Sequence, residues 1–484
     1  MSHRTVLQAL SGLLLSLFIA TLSSTVVATA LPKMLRELHG SQAQYTWVVT
    51  ATLLTATAST PIWGKLADLF SKKMLVQSAI VVFVAGSIAA GLSQDAGQLI
   101  ASRALQGIGV GGLQALVQIA IAAMISPRER GRYSGYLSSV TALSTIGGPL
   151  LGGVIVDTSW LGWRWCFFIG VPIAAVALVL LQKTLHLPVV HRAGVKIDYP
   201  GAALITAGVS VLLIWIAFVG DAFAWISWQS GAMAGGALLL LCAAVWWEGR
   251  AAEPLVPLGI VRQRTTALAI LGSLAAGTAM YGAAVFLSQY FQVSRGHSPT
   301  EAGLLTIPMM AGILVASIVA GRLISRTGRL KPFVVTGAVL LTVGFAILGF
   351  TDHRTPLLLM SVAMLAVCAG VGMTMQNFVL AVQNAVPLKD IGAASSAVAF
   401  FRSLGGTIGV TVLGAVLARQ VGEQLRNGVS PQVAYGDATG HIFWISAAVA
   451  LLGVVAAVLL KAVPLRTSLD LPAAAEATPE AVRR

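Results

Sequence analysis

Apolar runs about as long as a bilayer-spanning helix follow one another along almost the whole chain, and short polar stretches separate them. A helix needs roughly 20 mostly apolar residues to cross the hydrocarbon core of a membrane. The longest external loop is expected between Arg419 and Gly440. The pattern predicts fourteen spans, numbered 1 to 14, at residues 8–31, 44–63, 74–92, 98–125, 133–156, 165–183, 200–220, 229–247, 265–290, 300–321, 332–350, 356–386, 391–418 and 440–462.

The composition agrees with a membrane protein. Hydrophobic residues make up 57% of the chain and charged residues only 10%, whereas soluble proteins carry about 25% charged residues. The first apolar run, Gln8 to Leu31, is too long for the core of a signal peptide and lacks a clear cleavage site, so no cleaved leader is expected. The chain is therefore predicted to be an all-α integral membrane protein.

The distribution of lysine and arginine indicates the orientation. With an even number of spans both termini lie on one side, and 22 of the 31 Lys and Arg residues fall on that side against seven on the other. Cytoplasmic loops carry the excess of positive charge in membrane proteins, so both termini are predicted to be cytoplasmic. The net charge of +14 lies in these short loops rather than on one face, which argues against a nucleic-acid partner.

Two segments recur at nearly the same spacing. Gly64-Lys-Leu-Ala-Asp68 ends span 2 and Gly321-Arg-Leu-Ile-Ser325 ends span 10, an offset of 257 residues. The glycine pairs after Ser144 in span 5 and Arg402 in span 13 show an offset of 258. Two related halves, spans 1–6 and 9–14, are predicted, with spans 7 and 8 inserted; carriers of this design hold substrate near the midplane. Chance similarity between glycine-rich helices is the alternative.

The end of span 2 is predicted to act as a cytoplasmic gate loop, formed by Gly64, Asp68, Lys72 and Lys73. The glycine allows two helix ends to approach closely, and the carboxylate can face the positive N-terminal end of a neighbouring helix. Contacts of that kind form in one conformation only, so they can bias the equilibrium between conformations.

Spans 4 and 5 carry two further unusual features. Arg103 in span 4 costs about 2.5–3.5 kcal/mol at mid-depth in a membrane, so it is expected to face the protein interior. The alternative is a side chain near the helix end that reaches the surface. Span 5 carries a motif of four residues, Gly148, Pro149, Gly152 and Gly153. Its glycines permit close contact between helices, and its proline removes a backbone hydrogen bond and bends the helix.

These segments resemble the major facilitator superfamily, specifically its 14-helix drug:proton antiporter branch, over essentially the whole chain. The stretch from Gly64 to Lys73 is similar to the loop 2–3 signature, Arg103 to Gly109 to the span 4 motif, and Gly148 to Gly153 to the antiporter motif that marks exporters. The resemblance implies proton-coupled export, with Arg103 in the coupling. It also implies the major facilitator fold, as a six-helix bundle at 1–186, an inserted pair at 187–262 and a second six-helix bundle at 263–463. The composition of residues 464–484 predicts a disordered cytoplasmic tail.

One position departs from the branch. Ser23 stands where helix 1 usually carries an aspartate, so the resemblance does not supply the proton carrier. Asp68, Asp157 and Glu301 are the candidates, and a role as a helix cap or as a charge at the membrane interface is the alternative for each. No carboxylate lies deep in a predicted span, and such a cavity compensates the charge of a cation poorly. Hydrophobic substrates that are neutral or anionic are therefore expected.

The substrate cavity is predicted to be lined by polar side chains of the membrane spans, for which hydrogen bonding between helices is the alternative role. These residues are Ser23, Gln114, Gln118, Gln289, Gln376, Asn377, Gln383 and Arg402.

Catalytic and nucleotide-binding motifs are absent from the sequence, and the three cysteines lack metal-ligand spacing. Neither an enzyme nor a bound cofactor or metal is expected, and the proton gradient is the expected source of energy. The expected partners are the lipid bilayer, a small hydrophobic substrate and protons, and the expected setting is a monomer in a bacterial inner membrane. The alternatives are an exporter of envelope lipid or of an endogenous secondary metabolite, and a membrane sensor without transport activity.

Overall fold

Helices account for nearly all of the chain that the structure describes. The structure is a computed structural model, and it describes residues 3–39, 42–158, 161–185, 198–220, 222–251, 254, 256, 258–297, 299–387 and 390–466. The α-helices in these ranges are α1 (His3–Glu37), α2 (Gln42–Leu69), α3 (Lys72–Gly91), α4 (Ala96–Met124), α5 (Pro127–Asp157), α6 (Trp165–Phe168), α7 (Gly170–Thr184), α8 (Tyr199–Phe218), α9 (Trp228–Glu248), α10 (Leu258–Val261), α11 (Arg264–Gln289), α12 (Pro299–Leu305), α13 (Ile307–Thr327), α14 (Lys331–Leu348), α15 (Leu357–Ala385), α16 (Ile391–Arg426) and α17 (Pro431–Leu459). A short π-helix, Tyr290–Ser294, follows α11.

Twelve helical segments in the described ranges are long and apolar enough to cross a membrane. The pairs α6–α7 and α12–α13 each contribute to one such segment. The sequence predicts fourteen spans, and the two segments outside this set are α2 and α5. They are 28 and 31 residues long. Their lower apolarity has a clear source, since α2 is rich in threonine and α5 begins with three arginines and a glutamate.

The predicted external loop from Arg419 to Gly440 is wrong. Helix α16 continues to Arg426 and α17 begins at Pro431, so most of that stretch is helical. Arg419 Nε lies 2.9 Å from Glu423 Oε1 one turn further on. Pairs at this spacing stabilise exposed helix turns. The sequence pattern locates the apolar part of each helix, and polar turns extend the helix beyond it.

Separate hydrophobic cores hold the long helices in two bundles. The N-terminal bundle comprises α1–α7 and is centred on residues such as Leu13, Phe83 and Leu116. The C-terminal bundle comprises α11–α17 and buries Phe345 and Phe443. Helix α1 packs along α5, and α11 packs along α16, so the first and fifth long helices pair in both bundles.

Helices α8 and α9 form a pair beside the two bundles. Helix α8 packs against α2 and α16, where Val209 belongs to the same buried cluster as Ala58 and Phe400. Helix α9 packs along α8 and exposes large apolar side chains, including Leu239 and Trp246. Such an exposed apolar face is suited to contact with lipid.

Candidate functional site

The two bundles are joined where α2 and α13 end and where α5 and α16 begin; this region is termed the junction end. The Asp68 carboxylate accepts hydrogen bonds from the backbone amides of Gly392 and Ala393, each at 2.8 Å. These amides belong to the first turn of α16, whose N–H groups lack partners within the helix and carry the positive end of its dipole. Asp68 of the N-terminal bundle therefore caps a helix of the C-terminal bundle.

Gly64 lies one turn before Asp68 and approaches the same helix. A Cβ atom at this position would clash with Ser396 Oγ and would lie 2.9 Å from the carbonyl oxygen of Gly392. Lys72 interacts electrostatically with Asp68. Lys73 Nζ donates to the carbonyl oxygen of Gln182 in α7 at 2.7 Å, within the N-terminal bundle. Of the four residues of the predicted gate loop, Gly64 and Asp68 thus touch the other bundle directly.

A second contact between the bundles has the reverse polarity. Arg128 in the first turn of α5 donates to the carbonyl oxygens of Ser325 and Arg326, at 3.2 and 3.1 Å. The last carbonyls of a helix lack partners and carry the negative end of its dipole. Further along α5, a Cβ atom at Gly135 would lie 3.0 Å from Ile318 Cγ1 of α13. The bundles therefore meet through two pairs of helix ends.

Arg130 adds a buried contact at the same end. Its Nη1 donates to Gln383 Oε1 at 2.9 Å, and its other nitrogens donate to the carbonyl oxygens of Ile125 and Ala122. Gln383 in turn donates to Ser395 Oγ at 2.9 Å. The sequence predicts that Gln383 lines the substrate cavity, but in this structure its side chain hydrogen-bonds to Arg130 and Ser395. This side chain lies in the last turn of α15 and links the bundles at the junction end.

The segment Pro464–Arg466, here named the tail segment, contacts both bundles. The carbonyl oxygen of Arg466 accepts from Arg128 N at 3.1 Å, and Leu465 N donates to the carbonyl oxygen of Gly328 at 3.2 Å. The Arg466 guanidinium donates to the carbonyl oxygens of Gln383 and Val386, both at 2.9 Å. The prediction of a disordered tail from residue 464 is therefore wrong for these three residues, and residues 467–484 lie outside the described ranges.

A buried polar network lies inside the N-terminal bundle. Arg103 is 3% exposed, and it donates to Gln106 Oε1 and to the carbonyl oxygen of Val48. Gln106 Nε2 donates to Ser23 Oγ at 3.0 Å and to Ser87 Oγ at 2.7 Å. The structure therefore places Arg103 in the interior rather than at the surface. Ser23, at the usual aspartate position, reaches Arg103 through one neutral glutamine.

The glycine motif of α5 lies against α1. A Cβ atom at Gly148 would clash with Thr25 Oγ1, and Thr25 donates to the carbonyl oxygen of Ser144 at 3.0 Å. The C-terminal bundle repeats this pattern, because Thr278 of α11 donates to the carbonyl oxygen of Gly405 in α16 at 2.8 Å. Gly152 is also buried. The side-chain surroundings of Pro149, Gly153 and Asp157 lie outside what the structure describes.

The remaining predicted site residues are dispersed. Glu301 has a 58% exposed side chain whose Oε2 lies 3.5 Å from His297 Nδ1. Gln114 is half-buried and Gln118 is buried, both on α4, whereas Gln289 ends α11 far from the junction end. On α15, Gln376 is half-buried and Asn377 is buried, and Asn377 donates to the carbonyl oxygen of Met373 at 2.6 Å. Arg402 is buried on α16 beside α11.

Sequence reasoning missed the roles of Arg128, Arg130 and Arg466 at the junction and counted them only as loop charges. The contact of Arg128 could have been predicted from the internal repeat, in which α2 and α13 occupy equivalent positions. If Asp68 at the end of α2 meets the start of α16, the repeat requires the end of α13 to meet the start of α5. No comparable signal marks Arg466, since its contacts depend on where the chain runs after α17.

Comparison with known proteins gives consistent results. The family model described as Major Facilitator Superfamily matches residues 13–410, with a further match over residues 269–483. An uncharacterized MFS-type transporter of Mycobacterium tuberculosis is 35% identical over 480 residues, covering 94% of this chain and 69% of the relative. The multidrug transporter protein MdtP of Bacillus subtilis is 33% identical over 430 residues, covering 89% and 78%.

The fold also matches solved structures. The proton:xylose symporter XylE superposes with a TM-score of 0.67 at 16% sequence identity, and the alignment covers 95% of this chain and 96% of the symporter. At this level of identity the similarity concerns the fold alone.

Proposed function

Because the chain belongs to the major facilitator superfamily, we propose that it exports hydrophobic, neutral or anionic small molecules in exchange for protons. The observation that carries the transport proposal is the junction end, where two bundles meet through the pairs Asp68–Gly392 and Arg128–Ser325. Contacts of this kind can break and reform as two bundles rock about a central site. The direction of transport is supported by the 33% identical relative named as a multidrug transporter.

We propose that all fourteen predicted segments span the membrane, α2 and α5 included. Helix α2 packs along α4, and α5 packs along α1 and α13. Polar residues of both helices are buried, among them Thr52 and Thr57 of α2 and Ser144 of α5. Polar side chains in spans are tolerated when they face the bundle interior. The excess of Lys and Arg then assigns both termini and the junction end to the cytoplasm. In this orientation, the described conformation is closed towards the cytoplasm.

Alternating access is proposed to operate through the two helix-end pairs. An ionised Asp68 accepts two backbone hydrogen bonds, whereas a protonated carboxyl group gives up part of its acceptor capacity to an O–H donor. Loss of the charge also removes its attraction to the α16 dipole. Protonation of Asp68 is therefore expected to weaken the closed junction and to favour opening towards the cytoplasm.

Proton coupling is proposed to involve Asp68 and Asp157, with Arg103 as a positively charged neighbour of the transport path. Glu301 is less suited, because its side chain is 58% exposed and accompanied by His297. Ser23 cannot carry a proton as an aspartate would. In the hydrogen-bond network that contains Ser23, Arg103 carries a positive charge, whereas Gln106 and Ser23 are neutral.

The proposed preference for neutral or anionic substrates follows from this charge balance. Arg103 and Arg402 are buried within the long helices, and no ion pair of either with a carboxylate is found among the described residues. A buried positive charge repels a cationic substrate and attracts an anionic one. An envelope lipid or an endogenous metabolite with an apolar body is the alternative substrate, and a sensor without transport remains the alternative function.

The test is transport by the purified chain in liposomes with an imposed pH gradient. Radiolabelled taurocholate (anionic), chloramphenicol (neutral) and ethidium (cationic) serve as probes. An acidic lumen is expected to drive accumulation of taurocholate or chloramphenicol but not ethidium, and nigericin is expected to abolish it. Transport that persists after collapse of the gradient would contradict proton antiport, and no transport of any probe would contradict export. The lipid profile of a deletion strain, compared with its drug susceptibility, separates lipid from drug export.

A further inference from the structure

Arg402 differs from the other buried arginines that the structure describes. Arg103, Arg130 and Arg402 are 3%, 6% and 6% exposed. Arg103 and Arg130 each donate to at least two oxygen acceptors. No hydrogen bond or ion pair of the Arg402 guanidinium is found in the described part of the chain, and its Nη1 is buried without an acceptor.

The position of Arg402 corresponds to mid-depth in the bundle. It lies about 16 Å along α16 from Ile391 at the junction end, at 1.5 Å per residue, and the apolar core of a bilayer is about 30 Å thick. Its stem passes over Gly277 of α11, where a Cβ atom would lie 3.2 Å from Arg402 Cγ. Tyr281, one turn further along α11, interacts with it electrostatically. A Cβ atom at Gly277 would also clash with the carbonyl oxygen of Arg402, so the missing side chain lets the backbones of α11 and α16 approach closely beside the arginine.

Two further buried polar groups, on helices that pack against α16, lack partners. Ser273 is fully buried one turn before Gly277 on α11, and its Oγ has no hydrogen-bond partner. Residues four apart on a helix share a face, so Ser273 and Gly277 lie on the same side of α11. Asn377 of α15 is 2% exposed and has an unpartnered Oδ1, and α15 packs against both α11 and α16. Each of these three neighbouring helices thus holds at least one unsatisfied polar group among the described residues.

The chemistry of these groups indicates what could satisfy them. A guanidinium group stays charged inside a protein, so the bare charge of Arg402 cannot be relieved by loss of a proton. Buried charges are normally paired. The planar fork of N–H donors matches the two oxygens of a carboxylate, sulfonate or phosphate. A neighbouring hydroxyl group is a further donor to such an oxyanion.

We propose that Arg402 is the anchor of an anion-binding site in the C-terminal bundle, which takes the oxyanion head group of an amphiphilic organic molecule. Ser273 is the second donor. This inference rests on the proposed export function and narrows its substrate class to hydrophobic anions. The oxyanion belongs either to a small organic acid or to a lipid head group, and both present the same chemistry to Arg402.

The test measures equilibrium binding to the full chain in nanodiscs of phosphatidylcholine. The probes are radiolabelled taurocholate, dihexanoyl-phosphatidylglycerol as a competing lipid anion, and chloramphenicol as the neutral reference. The variants are Arg402→Gln and Arg402→Lys. Arg426→Gln is the matched control, since it removes an exposed arginine from the same helix. Thermal unfolding of each variant is recorded in parallel.

Arg402→Gln is expected to weaken taurocholate or phosphatidylglycerol binding about tenfold or more, which is the effect of losing a charge-assisted pair. Arg402→Lys is expected to lie between this variant and the wild type, and Arg426→Gln to match the wild type. Chloramphenicol binding is expected to change by less than about twofold, and the melting temperature not to fall, because an unpaired buried charge is removed. The anion that depends on Arg402 identifies the source of the head group.

Three results would overturn the inference. The first is that neither anion binds saturably to the wild type. The second is that anion binding does not change in Arg402→Gln. The third is that Arg402→Gln weakens the binding of all probes equally and also lowers the melting temperature. The proposed export function fails separately, if no probe accumulates in liposomes under a pH gradient. Binding that depends on Arg402 would stand in that case.

Discussion

Arg128 Nε donates to the carbonyl oxygen of Ser325 at 3.2 Å, and this contact reverses the polarity of the contact that Asp68 makes at the same end of the molecule. Asp68 places a negative charge at the start of α16, and Arg128 places a positive charge at the end of α13. Both arrangements are favourable with respect to the helix dipoles. Because each contact joins one bundle to the other, separation of the bundles at the junction end breaks both.

Replacing Asp68 with asparagine is expected to open the junction end. Hydrogen bonds to charged groups contribute about 1.5–3 kcal/mol each, so loss of the charge should shift the equilibrium between closed and open states about tenfold. The measurement is the distance between spin labels at two exposed positions, Met74 and Arg329, by pulsed electron resonance, with the exposed Cys242 replaced by serine.

Asp95→Asn is the matched control for this variant. Asp95 caps α4 within its own bundle by accepting from Gln98 N at 2.8 Å, and asparagine is an equally good cap. The control is expected to leave the distance distribution unchanged. An unchanged distribution in Asp68→Asn would contradict a role for this carboxylate in closing the junction.

Gly64→Ala is expected to prevent full closure by overpacking. The added methyl group would collide with Ser396 and approach the backbone of Gly392, and overpacking typically costs about 1–3 kcal/mol. Cysteine cross-linking across the junction end should become several-fold slower. Gly303→Ala is the control, since a Cβ atom there meets nothing within 4 Å. Equal cross-linking rates in both variants would show that the close approach at Gly64 is unimportant.

Truncation before Pro464 is expected to loosen the junction, whereas truncation after Arg466 is not. The shorter chain loses the acceptor of Arg128 N and the hydrogen bonds of Arg466 to the end of α15. Amide exchange in the first turn of α5 should then become faster by an order of magnitude, about the effect of one lost hydrogen bond. Equal exchange in the two truncated chains would contradict a structural role for the tail segment.

Ser23→Asp is expected to extend the substrate range to cations. An aspartate at this position would stand beside Gln106 in the Arg103 network and would add a negative charge to a region of positive charge. Ethidium transport in liposomes should rise at least about fivefold above the wild type, the equivalent of about 1 kcal/mol. Ser23→Asn tests whether the effect comes from the charge. Ethidium transport that is unchanged in Ser23→Asp would count against the proposed charge selectivity.

The sequence predicts most of the helices because lipid imposes a strong and regular apolar pattern. It also predicts that Asp68 can face a helix N-terminus, because a carboxylate interacts favourably with the positive end of a helix dipole. Pattern reasoning fails where polar helix turns continue past the membrane, as between Arg419 and Arg426. For Gln383 the pattern leaves two roles open, because an amide inside an apolar span has the same pattern whether it lines a cavity or joins two helices.

The contacts of the tail segment lie beyond such reasoning for a different reason. Pro464–Arg466 follow an apolar span and precede a polar stretch rich in alanine and proline, so composition predicts no order. Their order comes from hydrogen bonds to Gly328, Gln383 and Arg128, which are distant in sequence. Interactions of that kind leave no local pattern.

The most direct test of the central claim is the simultaneous measurement of distances at both ends of the molecule. Spin labels at Met74 and Arg329 report the junction end, and labels at Leu92 and Phe350, exposed beyond the opposite ends of α3 and α14, report the far end. Asp68→Asn and added taurocholate serve to shift the equilibrium. The two bundles are expected to rock, so that the junction distance lengthens while the far distance shortens in the same molecules. Two distances that stay fixed, or that change in the same direction, would contradict alternating access.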